Sequence, residues 1–374
     1  MDREKTRPRD TERVHALGTT RVFRLVPARL GYSGSCLRIW CPTTVPRNGP
    51  VFSTRIVAGY PSQKSLVPTN ESTLKTPTST IMTWLITGAS GHLGRHLLRR
   101  LHQEPYPVVA WTGRNEGAFA GVPFRPVDLS KRDQVAGAFA DANPSVVIHT
   151  AAVSQVAECN NNPTLAQRVN VDATLLLGDL CAATQTRLVL ISTDLVFDGK
   201  QGFYRETDSP KPISVYGETK HRAEQVLRAS GRHAVARVSL LYGPALGAPA
   251  GFFEQQVRSL REGRRLPLFS DEWRTPLDIR AAATALVRLA ASDFSGVLHI
   301  GGPQRLSRLE MGQQLASILD LDDQALIPTL RDHLESPEPR PRDVSLDSSE
   351  WRQLFPELPW PDWNTAVESM KLLN

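Results

Sequence analysis

The sequence predicts an α/β fold built on a doubly wound parallel sheet, and three observations carry that expectation. From residue 82 onward, short apolar runs alternate with stretches of helical periodicity. A glycine-rich turn separates the first run from the first helix, and Tyr216 and Lys220 open a later helix four residues apart. Alternation of this kind demands right-handed crossovers and a sheet covered by helices on both faces.

Thr83–Thr87 is the first buried-strand run, after which Leu93, Leu97, Leu98 and Leu101 recur at helical spacing. Between them lies Thr87-Gly88-Ala89-Ser90-Gly91-His92-Leu93-Gly94, a G-x-x-G-x-x-G turn. Glycines there permit a tight turn and let backbone N–H groups approach a pyrophosphate at the helix N-terminus. The spacing recurs by chance in loops, but placed between strand and helix it is a dinucleotide signal. Gly88, Ser90, Gly91, His92, Leu93 and Gly94 are therefore expected to border the cofactor, His92 as a loop residue rather than a catalyst.

The second strand, Val108–Trp111, runs into Thr112-Gly113-Arg114. An acid in this neighbourhood would hold the ribose hydroxyls of NADH, whereas the Arg114 guanidinium suits the 2′-phosphate of NADPH. NADPH is the expected cofactor; Glu116 keeps NADH open, and Arg114 as a plain surface charge is the bland alternative. The third strand leads into Pro126-Val127-Asp128-Leu129. Asp128, with Leu129 beside it, is placed to accept from the adenine amino group or to cap a helix starting near Lys131. Val135–Ala140 reads as a short helix and Val146–Ile148 as the fourth strand, followed by His149-Thr150-Ala151-Ala152, where Ala151 and Ala152 allow close approach to the cofactor. A long helix from about Thr164 to Thr184, a strand Leu188–Ile191, a helix Val215–Ala229 and a strand Ala234–Val238 complete a dinucleotide-binding domain over 82–240. A smaller α/β part, 241–374, is left for the substrate, with 278–300 (helix Asp278–Ala291, strand Val297–Ile300) returning to the main sheet.

The chemistry is expected at Tyr216, Lys220 and Thr193. Residues i and i+4 share one helix face, so phenol and ammonium project together. A phenol titrates near 10 unperturbed, and a fixed positive charge beside it is expected to lower that value. Thr193, in Ser192-Thr193-Asp194 at a strand end, would hydrogen-bond the same substrate oxygen. In isolation, Tyr-x-x-x-Lys is ordinary helix-surface packing; the surrounding order of motifs argues otherwise.

Composition narrows the class. A chain of 374 residues, 40% apolar and 22% charged, suits a soluble globular enzyme of one large or two modest domains. No segment approaches the roughly 18 apolar residues of a membrane helix. The net charge of +6 is not spread evenly: residues 1–81 hold 13 Lys+Arg against 5 Asp+Glu, which leaves 31 against 33 for residues 82–374. That basic, proline-punctuated leader reads as disordered. A transit peptide, a nucleic-acid-binding tail and an over-long start upstream of Met82 compete for it; its acids count against the first, and the third is preferred. No nucleic-acid partner and no metal are expected. Cys159 and Cys181 lack metal-ligand spacing and fit a cytoplasmic location.

The ordered motifs resemble the extended short-chain dehydrogenase/reductase family over most of residues 82–374. Ser192-Thr193-Asp194-Leu195-Val196-Phe197-Asp198-Gly199, Tyr204-Arg205-Glu206-Thr207-Asp208, Tyr216-Gly217-Glu218-Thr219-Lys220 and Arg340-Pro341-Arg342-Asp343 resemble dTDP-4-dehydrorhamnose reductases more closely still. The resemblance implies hydride delivery to the C4 ketone of a nucleotide-linked deoxysugar, with a homodimer left open. It makes Tyr216 the proton donor, Lys220 its electrostatic partner and holder of the nicotinamide ribose, and Thr193 the group that orients the carbonyl. Asp194 and Arg274 fall on the substrate side; Arg274 could instead pair with Asp271 or Asp278. Asn170 matches a helix position that supports the lysine through water in relatives, or is a plain polar helix residue. Leu195 stands where relatives usually carry tyrosine, and the glycine turn is closer to general extended reductases, so the sugar stays open. The β subunit of methionine adenosyltransferase is similar along the same stretch, and a non-catalytic, dinucleotide-binding regulatory subunit is the alternative.

Overall fold

Strand β1 (Trp84–Thr87) is buried along its whole length because it runs through the interior of an eight-stranded sheet. The computed structural model describes residues 82–228, 233–333 and 339–371, all within one compact unit, Lys75–Asn374. The basic leader 1–81 and the expected helix end at Ala229 lie outside the described residues.

After β1 come α1 (His92–Leu101), β2 (Val108–Thr112), the two-residue strand β3 (Ala118–Phe119), β4 (Val122–Pro126), α2 (Arg132–Ala142) and β5 (Val146–His149). Short helices α3 (Val156–Asn161) and α4 (Pro163–Ala166) precede α5 (Ala173–Thr184), β6 (Arg187–Thr193), α6 (Val215–Arg228) and β7 (Ala234–Val238). The second part holds β8 (Leu241–Tyr242), α7 (Phe252–Arg261), β9 (Leu266–Phe269), β10 (Trp273–Arg274), β11 (Leu277–Asp278), α8 (Ile279–Ala290) and β12 (Gly296–Ile300). It continues through β13 (Leu306–Ser307), α9 (Arg308–Leu319), β14 (Leu326–Thr329), α10 (Ser349–Leu354) and α11 (Trp363–Lys371).

The sheet order is β12-β7-β6-β5-β1-β2-β4-β3, parallel except for the edge pair β3–β4. The chain builds outward from β1 through β2 to β4, then crosses to β5 and builds the other way. That reversal leaves a crevice at the carboxyl ends of β1 and β5, the place where open α/β sheets bind ligands. Buried residues pack both faces: Leu97, Leu98 and the alanine-rich α8 on one, Leu176, Leu177 and Leu227 on the other. A third core, around Tyr242, Met311, Leu315 and Trp363, belongs to the C-terminal part. Strand β12 pairs with β7, so the chain re-enters the main sheet after leaving it.

The expected single helix over Thr164–Thr184 is three pieces: α4, a π-helical turn at Gln167–Asp172, and α5. The reason is local. The Asn170 carboxamide grips the Val153 backbone, accepting from its N–H at 2.8 Å and donating to its carbonyl at 3.1 Å, which the widened turn accommodates.

Candidate active site

The glycine turn closes against the end of β5. Gly88 has φ +69°, and a Cβ there would stand 2.6 Å from Thr150 Oγ1, while one on Gly94 would meet Ala89 Cα at 2.7 Å. Only glycine fits either position, and the backbone that results lies bare at the N-terminus of α1, whose first turn carries no acid. Asn115, which the sequence reading missed, donates to Ser90 Oγ at 2.9 Å and braces the turn. His92 points away from catalysis, with Nε2 3.2 Å from the Pro244 carbonyl. Asp128 accepts from the Ser130 N–H at 3.0 Å and the Ser130 hydroxyl at 2.7 Å, so it organises its own turn; the cap of α2 is Lys131.

On the other side of the crevice, Tyr216 and Lys220 lie on the first turns of α6. Gly217 makes this placement possible, because a Cβ there would collide with the Leu195 carbonyl of the turn that carries Thr193 and Asp194. Thr193 Oγ1 donates to Asp194 Oδ1 at 3.1 Å and accepts from the Leu195 N–H at 3.2 Å. Burial pushes the Tyr216 phenol up, and the Asp194 carboxylate adds to the effect against a contact from Thr193. The phenol is thus raised, where a lowering by Lys220 was expected: desolvation and the nearby Asp194 carboxylate set the direction. Burial likewise lowers Lys220 to about 8, opposed by Glu224. Burial raises Asp194, opposed chiefly by Arg274.

Arg274 is buried and pairs with neither Asp271 nor Asp278. Its Nε lies 3.7 Å from Asp194 Oδ2, and its Nη2 lies 3.3 Å from Glu272 Oε1. Asp271 is taken by Arg331 and Asp278 by Arg280. Arg308, which sequence reasoning missed, joins the group by donating from Nε to Glu272 Oε1 at 2.9 Å. Asn170 donates to Thr219 Oγ1 at 3.0 Å, which ties it to the residue preceding Lys220.

A single cleft of about 750 Å³ gathers both halves. Gly88, Ser90, Gly91, His92, Leu93, Gly94, Arg114, Asp128, Leu129, Ala151 and Ala152 line one end, and Thr193, Asp194, Tyr216, Lys220 and Arg274, with Arg308 and Ser239, line the other. Among the described residues no cluster of three or more His, Cys, Asp or Glu is arranged to hold a metal, and no helix is long and apolar enough to cross a membrane.

A family model described as the RmlD substrate binding domain matches residues 82–372, nearly the whole described chain. The chain belongs to that family. Among the relatives of this chain, a dTDP-4-dehydrorhamnose reductase of Streptomyces griseus is 31% identical over 294 residues, covering 76% of this chain and 91% of that protein. The methionine adenosyltransferase 2 subunit beta of Bos taurus is 31% identical over 284 residues, covering 71% of this chain and 80% of that one. The crystal structure of a Bacillus anthracis dTDP-4-dehydrorhamnose reductase in complex with NADP superposes with a TM-score of 0.70 at 22% identity, covering 78% of this chain and 99% of that one. At that identity it establishes the fold, a mostly parallel α/β sheet of the Rossmann type. The resemblance to extended short-chain dehydrogenases/reductases read from the motifs is therefore correct.

Proposed function

We propose that this RmlD-family chain uses NADPH to reduce the 4-keto group of a nucleotide-linked deoxysugar. The observation that carries the reading is the one cleft in which the glycine turn and the Thr193–Tyr216–Lys220 group face each other. The name of the S. griseus relative and the NADP in the B. anthracis structure support it. We assign the cofactor side to 82–240 and the substrate side to 241–374.

The residues fit a dinucleotide. The bare backbone at Gly88 and Gly94 leaves room for a pyrophosphate at the start of α1, and the exposed Arg114 at the cleft rim suits a 2′-phosphate. When bound, the nicotinamide supplies a hydride. The protein does the rest. Thr193 orients the ketone oxygen by turning its hydroxyl proton from Asp194 to the substrate. Tyr216, whose raised pKa keeps it protonated at neutral pH, donates that proton to the oxygen as alkoxide charge develops. Lys220 offsets the negative charge left on the phenol oxygen. Arg274 and Arg308, their charges balanced by Asp194 and Glu272, set fixed guanidinium donors at the substrate end.

The test is nicotinamide absorbance with purified protein, NADPH and a panel that includes dTDP-4-dehydrorhamnose and other 4-keto nucleotide sugars. Sustained NADPH oxidation with one of them is the expected result. Tight NADPH binding with no oxidation across the panel would favour instead a regulatory role, the reading suggested by the B. taurus relative.

A further inference from the structure

Behind the Tyr216–Lys220 face lies a second group of charges that the steps above do not use. Glu224 is 0% exposed and sits one helical turn beyond Lys220. Its Oε1 accepts from Ser192 Oγ at 2.5 Å and from Arg237 Nε at 3.0 Å, and its Oε2 accepts from Arg237 Nη2 at 2.7 Å. Arg237, within β7, is also 0% exposed, and its Nη1 meets His299 Nε2 at 3.2 Å. His299 Nδ1 lies 2.9 Å from the Tyr204 carbonyl, so that nitrogen carries the proton and Nε2 accepts from the guanidinium.

Burying an ion pair so completely is costly and by itself adds little stability. Its location suggests another use. Ser192 immediately precedes Thr193, so the carboxylate ties the end of β6 to the helix bearing Tyr216 and Lys220. Lys220 is only 2% exposed, and the desolvation of its ammonium needs a counter-charge.

We propose that Glu224 is a positioning residue: its carboxylate holds Lys220 charged inside the cleft and clamps Ser192–Thr193 to α6. This inference rests on the reductase reading of the same site.

The buried histidines around Lys220 drop out of the titration near neutrality and above. His149 on β5, the other titratable group interacting with Lys220, is pushed by burial down to about 3, and His299 on β12 is pushed by burial down to about 4. Both are neutral in that range. Glu224 is lowered to about 2, its hydrogen bonds and the Arg237 charge outweighing burial, and the Tyr216 phenol is raised. Asp194, on the turn packed against α6, faces the phenol. His221, with Nδ1 3.7 Å from Glu224 Oε2, is the remaining neighbour, and a His221→Gln background removes it.

The experiment is an NMR titration of the full chain with isotope-labelled lysine Cε, the Lys220 signal being identified by its loss in Lys220→Arg. The wild-type midpoint is expected at about 8. Glu224→Gln keeps the side-chain shape and is expected to move the midpoint down by about one pH unit or more, with Glu224→Asp returning it towards wild type. The alkaline limb of kcat should follow the same shifts while KM for the ketone changes little, a split that damaged packing would not produce. An unmoved midpoint in Glu224→Gln overturns the proposal. If that variant does not fold, wild type decides: a midpoint of about 5–6, that of a buried lysine without a counter-charge, overturns it equally. The titration needs no turnover, so a failure to oxidise NADPH would refute the reductase reading and leave this measurement interpretable.

Discussion

Acid should weaken this protein in part through His149, the last residue of β5. Its ring lies between Thr87 Oγ1 at 2.7 Å and Thr174 Oγ1 at 3.1 Å. The Thr174 hydroxyl is already donating to the Asn170 carbonyl at 2.7 Å, so Nε2 donates to Thr174 and Nδ1 accepts from Thr87. That arrangement uses the neutral imidazole. Burial, with a smaller contribution from Lys220, lowers its pKa from 6.5 to about 3. The sign follows from linkage. Below about pH 6.5 the unfolded chain takes up a proton that the folded protein refuses, so stability falls as pH drops and stops falling only below about 3. By about pH 4.5 the loss from this residue alone is about 3 kcal/mol, a large part of a typical domain's total of about 5–15 kcal/mol. Urea unfolding at stepped pH, comparing wild type with His149→Gln, isolates the effect, because the similarly buried His96 and His299 are common to both proteins. The variant should lose about 2 kcal/mol less than wild type between about pH 6.5 and 4.5. Equal pH slopes would refute the reasoning.

Tyr216→Phe should cut kcat by about 10²–10⁴ while NADPH affinity stays within about threefold, read by steady-state turnover and cofactor fluorescence, since only the proton donor is removed. Arg114→Ala should weaken NADPH by about 10–100-fold, the worth of one charge-assisted hydrogen bond, and leave NADH unchanged in parallel titrations. Gly88→Ala forces a methyl group into a left-handed turn against Thr150. It should cost about 1–2 kcal/mol in thermal or urea unfolding and weaken NADPH by at least about tenfold.

The glycine-turn end of the cleft was legible in the sequence because it is local: strand, glycine turn and the start of the helix follow one another within a dozen residues. The Tyr216–Lys220 pair was legible for the same reason. Arg308 was not, because it reaches the site only through antiparallel pairing of β10 with β13, which sets Arg274 beside Leu306. The sign of the Tyr216 shift was also hidden. It depends on burial and on Asp194, whose distance from the phenol is fixed by the contact between Gly217 and Leu195 rather than by spacing along the chain. The π-helical turn escaped periodicity because one widened turn inside an apolar run leaves the repeat almost unchanged.

The pairing of β12 with β7 has a practical consequence for anyone who would dissect the molecule. Cutting after residue 240 would strip β7 of its outer neighbour and leave five consecutive buried residues, Ala234–Val238, with unsatisfied backbone groups along a bare rim. Such a rim recruits other chains. The first half of the sheet therefore depends on a strand encoded some sixty residues downstream, and a shortened version should clump rather than fold.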